Sequence, residues 1–133
     1  MTGETNLTAL LRTMRPEMQQ DAYVFLTFNG EPPAALVLGA WALVREAEGP
    51  TLIVKESASS DLAGALPRWA LITLTVHSSL EAVGFLAALS TALAKDGIST
   101  NAISAYFHDH LFVPWERRGD ALAVLKALAA PGA

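Results

Sequence analysis

Residues 69–97 hold the pattern that most narrows what this chain folds into. Trp69 to His77 alternates, with Ile72, Leu74 and Val76 on one side and Leu71, Thr73, Thr75 and His77 on the other, the period of a half-buried strand. Ser78-Ser79-Leu80-Glu81 follows with capping-box spacing, in which the first hydroxyl accepts from the third helical amide and the carboxylate reaches back. A helix is predicted to about Lys95, with Val83, Leu86, Ala87, Ser90, Leu93 and Ala94 on its inner face and Gly97 as a left-handed stop. Ile98 to Ala105 and Phe107 to Trp115 read as two further strands, and Asp120 is expected to cap a last helix with the stripe Ala121, Leu125 and Leu128.

The first half is less regular. Asn6 is predicted to cap a helix whose stripe is Leu7, Leu10, Leu11 and Met14, stopped by Pro16. Ala22 to Phe28 is rich in β-branched and aromatic residues and reads as a strand. Asn29 to Pro33 has turn chemistry. Leu36 to Glu46 is expected to hold a strand, Glu48-Gly49-Pro50 a turn, Thr51 to Lys55 a returning strand, and Ser59 to Leu66 a short helix. The order αβββα then βαββα, with short connections, argues for an antiparallel sheet covered by helices on one face. Two such units suggest an internal duplication, an N-terminal module in 1–66 and a C-terminal module in 67–133.

Composition excludes several functions. With 133 residues and 52% apolar side chains the chain has material for a sizeable core. The apolar excess also points to surface buried against a second copy, so a homodimer is expected. The net charge is −4 and the basic residues are scattered singly apart from Arg117-Arg118, so no basic patch suits nucleic acid. The absence of cysteine removes disulfides, thiolate metal sites and cysteine nucleophiles, and it suits a cytoplasmic setting. The longest apolar stretches, Pro33 to Val44 and Ala82 to Ala94, fall short of the roughly 20 residues of a membrane span, and the first thirty residues have no basic-then-apolar signal pattern.

The run Thr75 to Leu86, followed by Asp96-Gly97-Ile98-Ser99, resembles the first strand, ligand loop, helix and second strand of an ACT domain, with Gly84 in the place of that module's early helical glycine. Together with Ala105 to Pro114, Tyr23-Val24-Phe25 and Arg45 to Gly49, it is similar to a bacterial family of stand-alone proteins built from two ACT-like halves. The resemblance implies an α+β fold of two ferredoxin-like modules. It also implies a small-molecule ligand, such as an amino acid, held between the first strand-to-helix loop and a neighbouring module. The chain departs from the βαββαβ pattern at both ends: the first half lacks an obvious opening strand and the second lacks a closing one. Either a strand is exchanged between the halves or they form one continuous sheet.

The candidate ligand-binding residues are His77, Ser78, Ser79, Leu80, Glu81, Gly84, Ser99, Asn101 and His108. Backbone amides and the helix dipole at the His77-Ser78-Ser79 turn suit an anion such as a carboxylate, although Ser78 acting as a cap alone explains the same residues. Asn101, sharing a strand face with Ser99 and Ile103, supplies donor and acceptor for a zwitterion, or is an ordinary exposed polar position. His108-Asp109-His110 is open to three readings: hydrogen bonding at a hairpin, contact with a ligand or partner, or a metal pair completed by His77. No phosphate loop, Gly-x-Ser-x-Gly or His-Glu-x-x-His is present. The leading expectation is a non-catalytic, regulatory binding protein without cofactor or resident metal. Its alternatives are a His-based metal-dependent enzyme and a structural interaction module.

Overall fold

The computed structural model of the chain describes residues 3, 5–63, 66–76 and 80–130, the side chains of 60–63 aside. In chain order the elements are α1 (Leu7–Thr13), β1 (Pro16–Thr27), α2 (Ala34–Gly39), β2 (Ala42–Glu46), β3 (Gly49–Lys55), α3 (Glu56–Ala63), β4 (Trp69–Leu74), α4 (Phe85–Lys95), β5 (Asn101–Ser104), β6 (Asp109–Pro114), a 3-10 turn at Trp115–Arg117, and α5 (Arg118–Ala129). They form two compact units, one of Met1–Gln20 with Ala70–Ala133 and one of Asp21–Trp69.

In the 21–69 unit the strand order is β2-β3-β1, with both pairs antiparallel. The register sets Val24 against Val54 and Leu26 against Leu52, and these four buried side chains make the core. Leu36, Val37 and Ala40 pack on them from α2, and Leu43 from β2. The strand expected within Leu36 to Glu46 is β2, at Ala42–Glu46, while Leu36 to Gly39 ahead of it is helical. Ala34 to Leu38 favours helix by propensity, Pro33 precedes it as the N-cap residue, and the chain becomes extended only at Ala40. The hairpin between β2 and β3 turns at Ala47-Glu48 and enters β3 at Gly49, whose φ is +141°. A Cβ there would collide with the Phe28 carbonyl oxygen, so only glycine fits.

In the other unit the strand order is β1-β4-β6-β5, and β5 pairs with β6 antiparallel. Asn6 Oδ1 accepts from the Ala9 amide at 3.0 Å, as its position ahead of the apolar stripe predicts. Leu10 of α1 and Met14 just after it, Phe85, Leu89 and Leu93 of α4, and Ala121 and Leu125 of α5 close over Ile72, Leu74, Leu111 and Val113. At the end of α4 the Gly97 amide donates to Ala94 O at 2.9 Å and the Ile98 amide to Leu93 O at 3.0 Å, the paired closure expected of glycine in this position.

Several boundaries differ from the sequence reading. β1 starts at Pro16 rather than Ala22, because backbone pairing recruits a polar stretch whose side chains give no strand signal. β4 ends at Leu74, β5 starts at Asn101 and α3 starts at Glu56. α5 starts at Arg118 with Asp120 inside its first turn, accepting from Arg117 Nε at 2.9 Å instead of capping the helix.

Candidate functional site

The largest correction falls on α4. Its N-cap is Gly84, at φ +88°, with no side-chain cap. A left-handed residue breaks the path of a right-handed helix, so Leu80 and Glu81 occupy a separate turn and α4 opens at Phe85. The Ser78 to Glu81 box therefore does not open this helix, and Ser78 itself lies outside the described residues, as do His77 and Ser79. The shifted start changes the helical phase. Phe85, Leu89 and Leu93, four residues apart, point inward, whereas Val83 is 83% exposed and Ala87, Ser90 and Ala94 face outward.

The first turn of α4 forms one wall of a cavity of about 170 Å³, lined by Leu80, Ala82, Gly84, Phe85, Leu86, Ala87, Ser104 and Asp109. The Ala88 amide is the first to close the helix, on Gly84 O at 2.9 Å, and the amides that precede it in a helix have no intrahelical acceptor. Ser104 ends β5 and Asp109 starts β6, and the register places them directly opposite one another. Ser104 Oγ donates to Asp109 Oδ1 at 2.6 Å, and the aspartate is only 6% exposed. A buried carboxylate is costly unless hydrogen bonds and opposite charge compensate it, and Ser104 supplies one such bond. The cavity thus sets an acceptor group across from the positive end of a helix.

Of the residues expected to bind ligand, the cavity gathers Leu80 and Gly84. Glu81 is exposed in the preceding turn, Ser99 is exposed in the connection before β5, and Asn101 is exposed on β5. His108 lies just ahead of β6, with Nδ1 3.3 Å from the Val76 carbonyl oxygen. His110 points to the face opposite Asp109, cross-strand from Ile103, with Nδ1 3.0 Å from Thr73 Oγ1. The two imidazoles stand edge to face with centroids 6.4 Å apart. Burial, and secondarily the neighbouring His108, hold the His110 imidazole below its ordinary value, against a smaller upward pull from Asp109. Among the described residues no three His, Cys, Asp or Glu side chains converge to hold a metal ion.

Asp109 and Ser104 line this cavity, and neither is in the ligand-binding set expected from the sequence. The signal was present in the strand period. Asp109 shares its side of β6 with Leu111 and Val113, which are buried beneath the helices, and a carboxylate in register with two core residues marks an unusual position.

Two ACT-domain family models match the chain, over residues 2–64 and 67–127. A crystal structure of a Vibrio cholerae protein of unknown function, described as a possible transport protein, is 47% identical, with a TM-score of 0.78 over 87% of this chain and 89% of that one. A protein from Agrobacterium tumefaciens has a TM-score of 0.67 at 13% identity, over 87% of this chain and 89% of that one. The ligand-free regulatory subunit of aspartate kinase from Thermus thermophilus has a TM-score of 0.62 at 10% identity, over 89% of this chain and 97% of that one, a likeness of fold. No curated protein matches the chain. No helix among the described residues is long and apolar enough to cross a membrane. The chain belongs to the ACT-domain family and carries two ferredoxin-like ACT domains in tandem, α+β modules of antiparallel strands and helices.

Proposed function

We propose that this protein is a non-catalytic regulatory module of the cytoplasm that binds a small amino acid in the cavity at the start of α4 and acts as a homodimer. The modules are 1–66 and 67–133, and the cavity belongs to the second. The observation that carries the reading is the placement of Asp109, buried and braced by Ser104, across from the opening turn of α4. An α-amino acid presents an ammonium and a carboxylate on one carbon. Asp109 takes the ammonium, and the amides opening α4 take the carboxylate with help from the helix dipole. A cavity of about 170 Å³ corresponds to the room of roughly five or six liquid-like waters, which suits a small side chain. The tandem ACT architecture, shared with an aspartate kinase regulatory subunit, supports regulation over catalysis.

A thermal-shift screen of the common amino acids tests the proposal. At least one small amino acid raises the melting temperature at millimolar concentration, and the gain grows with the logarithm of ligand concentration. Its N-acetyl derivative, which lacks the ammonium, gives no shift. Asp109→Asn keeps the volume and an acceptor for Ser104 but loses the charge, and binding weakens by about 30-fold or more, the range for a charge-assisted contact. A screen in which no amino acid shifts the wild-type melting temperature removes the amino-acid reading.

A further inference from the structure

Alongside the binding cavity the structure has a second, larger concavity of about 660 Å³, a groove between α4 and α5 floored by Ala88, Ala92, Val124 and Leu128 and ending at Lys95 and Asp96. We infer that this groove is the two-fold interface of the homodimer. The inference deepens the homodimer reading above and rests on it.

The outer face of α4 is the first argument. The helix FLAALSTALAK carries no charged side chain before Lys95, and Ala87, Ser90, Thr91 and Ala94 on its outer side are exposed. A helix facing only water usually carries charge on that side, whereas the centre of an interface is depleted of charge and ringed by polar groups. Small side chains also let a second helix approach closely.

Charge decides the occupant. Lys95 and Asp96 are consecutive and of opposite sign, and among the described residues neither side chain has an ion-pair partner. Arg117, which reaches this end of the groove, is committed to Asp120 at 2.9 Å and to the Asp96 carbonyl oxygen at 3.1 Å. A two-fold axis passing between Lys95 and Asp96 sets the lysine of each copy against the aspartate of the other, two equivalent pairs in one contact. An unrelated apolar helix would leave the same two charges unmatched.

Sedimentation velocity on the full chain over a wide concentration range tests this. The wild type sediments as a dimer, and Thr91→Glu or Ala87→Glu, each placing charge on an exposed position of α4, yields monomer with an unchanged circular dichroism spectrum. Lys95→Asp weakens dimerisation by about tenfold or more, and adding Asp96→Lys restores it to within about threefold, as complementary pairing requires. A dimer indifferent to both glutamate variants overturns this surface and leaves the homodimer standing. A wild type that is monomeric throughout, including one whose groove captures only a foreign helical peptide, removes both. Failure of the double exchange to recover affinity overturns the two-fold pairing.

Discussion

His110 shows how little chemistry is needed to give this protein a pH response. Its ring is held below 6.5 by burial first and by His108 second. Between the folded value and 6.5 the unfolded chain therefore binds more protons at this ring than the native one. The stability it contributes is complete above 6.5 and is lost as pH falls through the folded value. Melting temperature should decline on acidification through this window, and His110→Gln, which keeps hydrogen-bonding capacity beside Thr73, should flatten that part of the profile. An unchanged profile in the variant would locate the titration elsewhere. Gly49→Ala is the sharpest backbone test: it combines a positive φ with a collision at Phe28 O. Chemical denaturation should show a loss of more than about 1 kcal/mol. At this scale the sequence was partly readable. Asn6 and Gly97 behave as their chemistry predicts, because each acts on backbone within a few residues. Asp109 escaped because its setting depends on a partner across the hairpin and on the opening turn of a helix more than twenty residues earlier.

The elements separate what local pattern encodes from what packing decides. α1 and α5 follow their apolar spacing, whereas of the inner face expected for the second half of α4 only Leu93 is buried and Ser90 and Ala94 are exposed; Asn6 opens α1 and Gly97 closes α4 as expected, while Asp120 lies inside α5. β2 lies within the stretch Leu36 to Glu46 where a strand is expected, but α2 ahead of it carries no separate signal, because the period of a short apolar run does not discriminate helix from strand. The start of α4 was misplaced because Ser78 and Glu81 have capping-box spacing while Gly84, a few residues on, interrupts the path with its left-handed φ. The corrected phase gives a contrast that mutagenesis can read. Leu89 is fully buried and Ser90 is exposed, so Leu89→Ala should cost about 2–5 kcal/mol while Ser90→Ala should stay within about 0.5 kcal/mol. Comparable losses at the two positions would contradict the orientation given to α4. Leu10→Ala should fall in the range of Leu89→Ala, at about 2–5 kcal/mol, because α1 is enclosed in the same core as α4 and α5.

For the molecule as a whole, the α+β class was legible from the alternation of strands with helices, and the two ACT modules from the family resemblance carried by residues such as Gly84 and Asp96-Gly97-Ile98. The strand order and the division of compact units were not. Which strands pair is settled by contacts between residues far apart in sequence, and α1, although first in the chain, is enclosed with residues 70–133. The functional reading at this scale is a small sensor whose cavity and dimer surface share one helix, with Ala87 lining both. The most direct measurement is isothermal titration of the small amino acids into wild-type protein and Asp109→Asn. The account predicts saturable binding of at least one of them at one ligand per chain, weakened by about 30-fold or more in the variant. Equal affinity in the two proteins would show that the ligand settles somewhere other than beside Asp109, and an absence of heat for every amino acid would contradict the proposed role.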